Sequence, residues 1–151
     1  MLDDVTAEVV ALHEFFARWF NGAIPVEAFD REFVTVFDPG FEMVVPSGSL
    51  LAFDRLCSGL MAAYGQSHGF AIGIREVQVL AAGAGTVVAR YQELQRTSKH
   101  ADATRNARWS TVVFDRDPSL RHGLRWRHVQ ETALSLTQLP QDAFGFLDGP
   151  S

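Results

Sequence analysis

The sequence predicts an α+β fold, with three N-terminal helices packed on a curved, mainly antiparallel sheet. Two patterns carry this expectation. Apolar residues recur at helical spacing from the N-terminus to about Tyr64, interrupted by one short strand signal. From Phe70 onward they alternate along extended runs separated by turn residues. Helices gathered at one end of the chain and strands at the other are the signature of helices covering one face of an antiparallel sheet. Size agrees: 151 residues, 47% hydrophobic and 21% charged, suffice for one core without disulfides or a structural metal. The same composition excludes disorder as a global description.

The first helix runs from about Asp4 to Phe20. Val5, Val9, Leu12, Phe16, Trp19 and Phe20 form its apolar stripe, and Asn21-Gly22 stops it. Ile24-Pro25-Val26 opens a shorter helix carrying Phe29, Phe33 and Val36, and Asp38-Pro39-Gly40 breaks the chain after it. Phe41–Val45 reads as a short strand, Pro46-Ser47-Gly48 as a turn, and Ser49–Leu51 as a return strand. Ala52–Tyr64 is the third helix, with Phe53, Leu56, Cys57, Leu60 and Met61 on one face. In the next segment Phe70, Ile72 and Ile74 alternate in one phase and Val77 and Val79 in the other. The slip at Arg75-Glu76 predicts a β-bulge, which bends a sheet. Strands over Thr86–Thr97, Thr104–Phe114 and Leu124–Leu134 follow, joined by a polar loop at Ser98–Ala103 and a charged one at Asp115–Gly123. Residues 1–134 form the domain. Residues 135–151 read as an irregular tail that Phe144, Phe146 and Leu147 can tack down.

Charge and motifs narrow the function. Thirteen Lys+Arg against eighteen Asp+Glu give a net charge of -5, so an overall basic footprint for nucleic acid is absent. Arg121, Arg125 and Arg127 form a local basic cluster, read as solvated or partner-facing rather than as an RNA surface. No run approaches the ~18 apolar residues of a membrane span. The start Met1-Leu2-Asp3-Asp4 lacks the basic n-region of a signal peptide, and Cys57 is the only cysteine. A cytoplasmic protein with a packed, inert thiol is expected. The five histidines are scattered, and His100-Ala101-Asp102 is the only close His–carboxylate pair, in a polar loop. No metal site and no cofactor are therefore expected: nucleophile-elbow, dinucleotide and Walker patterns are all missing.

Three local motifs carry a resemblance. They are His13-Glu14-Phe15-Phe16-Ala17-Arg18-Trp19-Phe20-Asn21-Gly22, Phe41-Glu42-Met43-Val44-Val45-Pro46-Ser47-Gly48, and Arg108-Trp109-Ser110-Thr111-Val112 followed by Trp126-Arg127-His128. In this order and spacing, over about residues 5–134, the chain resembles the nuclear-transport-factor-2-like superfamily, which includes ketosteroid isomerase and the SnoaL-like polyketide cyclases. The resemblance implies a cone-shaped half-barrel whose helices close a hydrophobic pocket, often as a homodimer. It does not carry the isomerase chemistry across. That chemistry needs a carboxylate base and an oxyanion hole of tyrosine and protonated aspartic acid. The tyrosine position falls at Phe15, the base at Val45 and the second acid at Ser110.

The pocket candidates come from strand alternation. Leu124, Trp126, His128, Gln130 and Thr132 share one face of the last strand, taken as the concave one. On the strand before it, the resemblance puts Arg108 and Ser110 inward. His128 is the candidate catalytic acid/base, since a neutral imidazole on a pocket wall titrates near neutrality. The plainer alternative is a buried histidine bonded to a neighbour such as Ser110. Arg108 needs a partner if buried: Glu93, Glu42 or a ligand carboxylate. Phe15, Phe16, Trp19 and Trp126 belong to the pocket wall or to the core behind it. Tyr91 joins them if it faces inward, which alternation leaves open for both Tyr91 and Glu93. The expected function is binding of a small, mainly apolar molecule, without ketosteroid-isomerase chemistry. The alternatives are a cofactor-free isomerase, dehydratase or cyclase using His128, and a dimerisation module. A homodimer through Trp109, Thr111, Val113 and Val129 on the outer sheet face is expected in any case.

Overall fold

The computed structural model describes residues 1–97 and 104–148. Three helices, α1 (Leu2–Phe20), α2 (Ala28–Glu32) and α3 (Phe53–Ala63), pack on one curved six-stranded sheet. Its strands are β1 (Phe37–Val44), β2 (Leu50–Ala52), β3 (Ala71–Ala82), β4 (Thr86–Arg96), β5 (Arg105–Arg116) and β6 (Leu124–Leu134). Their order is β2-β1-β6-β5-β4-β3, and every pair is antiparallel except β1 with β6. Among the described residues, no helix is long and apolar enough to cross a membrane. The expected loop at Ser98–Ala103, with His100 and Asp102, lies outside the described residues.

The long helix α1 lies across the concave face because its apolar stripe has nowhere else to go. Val5, Val9, Leu12, Phe15 and Trp19 are fully buried there. At its end the chain must turn past the end of α3. Gly22 and Gly65 both take left-handed φ, and a Cβ on Gly22 would stand 3.2 Å from the Gly65 Cα. Two small residues permit this approach, and the amides of Gly65 and Ser67 then donate to the C-terminal carbonyls of Trp19 and Phe20, the first of which also accepts from Gly22.

Bulges shape the sheet, and one of them was foreseen. The β3–β4 register slips between Arg75 and Gln78, and Glu76 takes φ 57°. Both Ile74 before the slip and Val77 and Val79 after it pack on the core, which strict alternation would forbid. Another slip follows in β3 between Val79 and Ala81, and neither it nor the bulge in β6 was foreseen. In β6, Phe114 pairs with Trp126 but Val113 pairs with His128, so Arg127 is the extra residue. Phase reverses at that point. Trp126 faces inward, then Val129 and Glu131 do; His128 and Gln130 share the outer face with their partners Val113 and Thr111.

Strand β1 begins at Phe37 rather than Phe41. Phe37 pairs with Trp126 and Glu42 with His128, so β1 advances five residues where β6 advances two. The expected break, Asp38-Pro39-Gly40, is the excursion that absorbs the difference, and the Gly40 amide donates to Asp38 Oδ1 at 2.7 Å. Beyond β6 the tail forms short 3-10 turns and returns over the outer face. The Phe146 ring lies where a Cβ on Gly73 would stand, and Arg105 sits 5.1 Å from the centre of the Phe144 ring.

The basic cluster is neutralised within the chain. Arg121 pairs with Glu8, Arg125 with Asp117 and Arg127 with Asp38. The first of these is internal: Glu8 on α1 is wholly buried. It accepts from Arg121 Nη2 at 2.6 Å and Nε at 3.0 Å, and from the Trp126 indole at 3.1 Å, with His122 Nδ1 at 3.2 Å. This carboxylate ties the β5–β6 loop to α1 and fixes the Trp126 ring.

Candidate functional site

A cavity of about 240 Å³ opens between α1, α3 and the concave sheet face. Most of its wall is apolar: Leu12, Phe16 and Phe20 from α1, Phe37, Phe41 and Met43 from β1, Leu51 from β2, and Leu56 and Leu60 from α3. Ile72, Trp126 and Val129 complete it from the sheet. Trp126 is held flat against Phe37, with ring centres 5.7 Å apart, and edge-on to Phe114 at 4.8 Å.

The polar part of the wall is one cluster: His13, Tyr91, Glu93, Gln95, Arg108 and Glu131. Register brings it together. Glu93 faces Arg108 across β4–β5, and Ser110 faces both Tyr91 and Glu131 on the strands to either side. His13 reaches in from α1. Its Nδ1 lies 2.7 Å from the Val9 carbonyl and its Nε2 2.9 Å from Glu93 Oε1. Both neighbours are acceptors, so both ring nitrogens donate and His13 is an imidazolium. Burial works against that charge, yet the Glu93 carboxylate more than offsets it, and the His13 pKa is raised above 6.5. Burial likewise opposes the Glu93 charge, but His13 holds the carboxyl down at about 2. Gln95 donates to the other Glu93 oxygen.

The second ion pair is Arg108 with Glu131. Nη1 donates to both carboxylate oxygens, at 3.2 and 3.3 Å, and Nη2 donates to Asn106 at 3.1 Å. Burial, with Glu93 nearby, raises the Glu131 carboxyl pKa in spite of Arg108. Tyr91 is 2% exposed, and burial pushes its phenol well above 10, so it stays a neutral donor. Ser110 stands opposite it in register, but its Oγ makes no hydrogen bond.

Of the candidates read from sequence, Phe16, Tyr91, Arg108 and Trp126 stand on the cavity wall. Phe15, Trp19 and Ser110 do not line it. They are fully buried behind it; Trp19 lies tilted against Tyr64, with ring centres 4.5 Å apart, and donates to the Leu60 carbonyl. His128 is outside the cavity altogether, because the Arg127 bulge turns it to the outer face; it cannot act as acid or base in this pocket. The same bulge places Val129, expected on the outer face, inside. Arg108 has found neither of its expected protein partners but Glu131. His13 and Glu131 were missed. His13 was findable: it lies four residues after Val9, on the inward side of α1. Glu131 was not, since nothing in Trp126-Arg127-His128 announces a bulge.

Among the described residues, no group of three or more His, Cys, Asp or Glu is placed to hold a metal ion. Cys57 is a free thiol packed against the edge of the core.

A half-open curved sheet, closed by helices over an apolar cavity with one polar cluster, defines a helix-capped pocket protein. Comparison with solved structures gives the particular family. An NTF-2-like protein of unknown function from Pseudomonas aeruginosa is 30% identical, over 87% of this chain and 99% of that one, with a TM-score of 0.78. The chain belongs to the NTF2-like superfamily. An NTF2-like protein from Cytophaga hutchinsonii is 10% identical, over 87% of this chain and 97% of that one, with a TM-score of 0.64. The CaMKII hub of S. rosetta is 12% identical, over 88% and 92%, with a TM-score of 0.60. These last two show the fold alone. No family model matches the sequence, and a search of curated proteins finds no match.

Proposed function

We propose that this protein binds a small, mainly apolar molecule in the cavity and performs no ketosteroid-isomerase chemistry. The observation that carries this reading is the wall itself: a long apolar surface with polar groups gathered in one cluster is the usual form of a small-molecule site. A cavity of about 150 Å³ holds benzene, so this one has room for roughly ten non-hydrogen atoms. Binding is favoured over acid–base catalysis because the titratable groups are occupied. Both His13 nitrogens donate, Glu93 receives His13 and Gln95, and Arg108 grips both Glu131 oxygens. The test is a cavity-filling variant. Val129→Trp is expected to abolish the fluorescence gain of an apolar dye while keeping the circular-dichroism spectrum. Equal dye binding by both proteins would remove the reading.

The same reading places the domain at residues 1–134, with 135–151 as an appendage, in the reducing cytoplasm that a lone free cysteine suits. It also includes a two-fold homodimer through the outer face. Val129 has left that face and the tail covers one end of it. What remains for a second copy is the centre, where Val88 pairs with Val113, Gln92 with Trp109, and Arg90 lies 5.0 Å over the Trp109 ring. Sedimentation is expected to give about twice 16.7 kDa at high micromolar concentration, and Trp109→Glu to halve it. A wild-type monomer under those conditions would end the dimer proposal.

A further inference from the structure

One end of the outer sheet face is covered by the chain's own tail, and the cover is thinly attached. Leu94 and Ala107 pair in register on the face turned away from the main core, yet they are only 1% and 5% exposed. The tail lies over this end. Phe146 fills the space that the missing side chain of Gly73 leaves, and Phe144 rests on Arg105. No hydrogen bond or ion pair joins residues 135–148 to the sheet among the described residues. Their backbone bonds are local: Gln138 to Ser135, Leu139 to Leu136, Ala143 to Pro140, Gly145 to Asp142 and Leu147 to Phe144. A cavity of about 300 Å³, walled by Gly73, Arg75, Leu94, Asp142 and Phe146 among others, is left between tail and sheet. A segment held by a few apolar contacts, with no hydrogen bonds to its support, opens at low cost.

The face itself lacks partners that the tail does not supply. Arg75 Nη1, Arg90 Nε and Gln92 Oε1 are buried without a hydrogen bond. Register sets them side by side on the outer face, with Arg75 opposite Gln92 and Arg90 two residues before it. Such groups call for an occupant that completes them. A second copy of the same face brings both missing kinds, donors on the arginines and an acceptor on the glutamine, as a self-complementary two-fold interface requires. We infer that residues 135–148 are a strap: docked, it shuts the Leu94–Ala107 end of the outer face; released, it lets a second copy spread from Trp109 and Val113 onto that end. This rests on the outer-face dimer proposed above.

The test uses the full chain with Gly73→Cys and Phe146→Cys on a Cys57→Ser background. Phe146 Cγ stands 3.0 Å from the Cβ that residue 73 would carry, within reach of a disulfide. Oxidised, the strap is tied down; reduced with dithiothreitol, it has lost its Phe146 anchor. Sedimentation over a concentration series is expected to give a dimer dissociation constant at least about tenfold lower for the reduced form, and Trp109→Glu should remove the gain. Phe146→Ala alone should tighten the dimer relative to wild type in the same sense, so the outcome does not depend on the disulfide forming. Equal constants in the two redox states, or tighter association of the oxidised one, would overturn the strap and leave the outer-face dimer standing. So would a gain that survives Trp109→Glu. Monomers throughout, at high micromolar concentration, would overturn both.

Discussion

Replacing Glu93 with leucine is expected to cost about 3–5 kcal/mol of unfolding free energy, because it leaves a buried imidazolium without its counter-charge. The penalty should depend on pH in a defined sense. The His13 pKa is raised above 6.5 in the folded state, so its stabilisation is complete below 6.5 and disappears as pH rises through the raised value. The Glu93 pKa is lowered from 4.5 to about 2, so its stabilisation is complete above 4.5 and disappears as pH falls toward 2. The pair therefore contributes most between 4.5 and 6.5. Urea denaturation of wild type and Glu93→Leu across that range checks it: the gap should be widest inside the window and narrow above it. A gap independent of pH would mean that packing, and not the ion pair, sets the loss.

The second large effect belongs to Glu8. Its carboxylate is wholly buried and gathers Arg121, His122 and the Trp126 indole from the β5–β6 loop and the start of β6. Glu8→Leu should cost about 3 kcal/mol, the low end for a broken buried pair, since Arg121 is partly exposed and can rehydrate. The comparison is Arg127–Asp38, where the arginine is 52% exposed. Breaking that pair by Arg127→Ala should cost less than about 1 kcal/mol. Hydrogen exchange adds a second readout, with amides of the loop before Leu124 losing protection in Glu8→Leu alone. Equal losses in the two variants would contradict the role given to burial.

Both pairs bear on how far the sequence could be read. Helices and strands were legible from their periods: the α1 stripe from Val5 to Trp19 lands on the core as expected, and the alternation from Val87 to Tyr91 marked a strand without telling which of its faces is inward. The Arg75-Glu76 bulge was legible because apolar residues on both sides of the slip mark it. The Arg127 bulge was not, because arginine and histidine there fit either face, and one extra residue reverses everything after it. That single slip moved His128 out of the cavity and Glu131 and Val129 into it. The ion pairs were illegible for another reason. His13 and Glu93 are 80 positions apart, and only the packing of α1 across β4 joins them. Arg108 showed that it needed a partner, but not which one.

The account's central claim is that the cavity between α1, α3 and the sheet receives an apolar molecule. The most direct measurement is a methyl NMR titration with propiophenone. Methyl groups of Leu12, Met43, Leu56, Ile72 and Val129, which line the cavity from five elements, are expected to shift together and saturate at one ligand per chain. Shifts confined to Val88 and Val113 on the outer face, or no shift up to the solubility of the ketone, would contradict it.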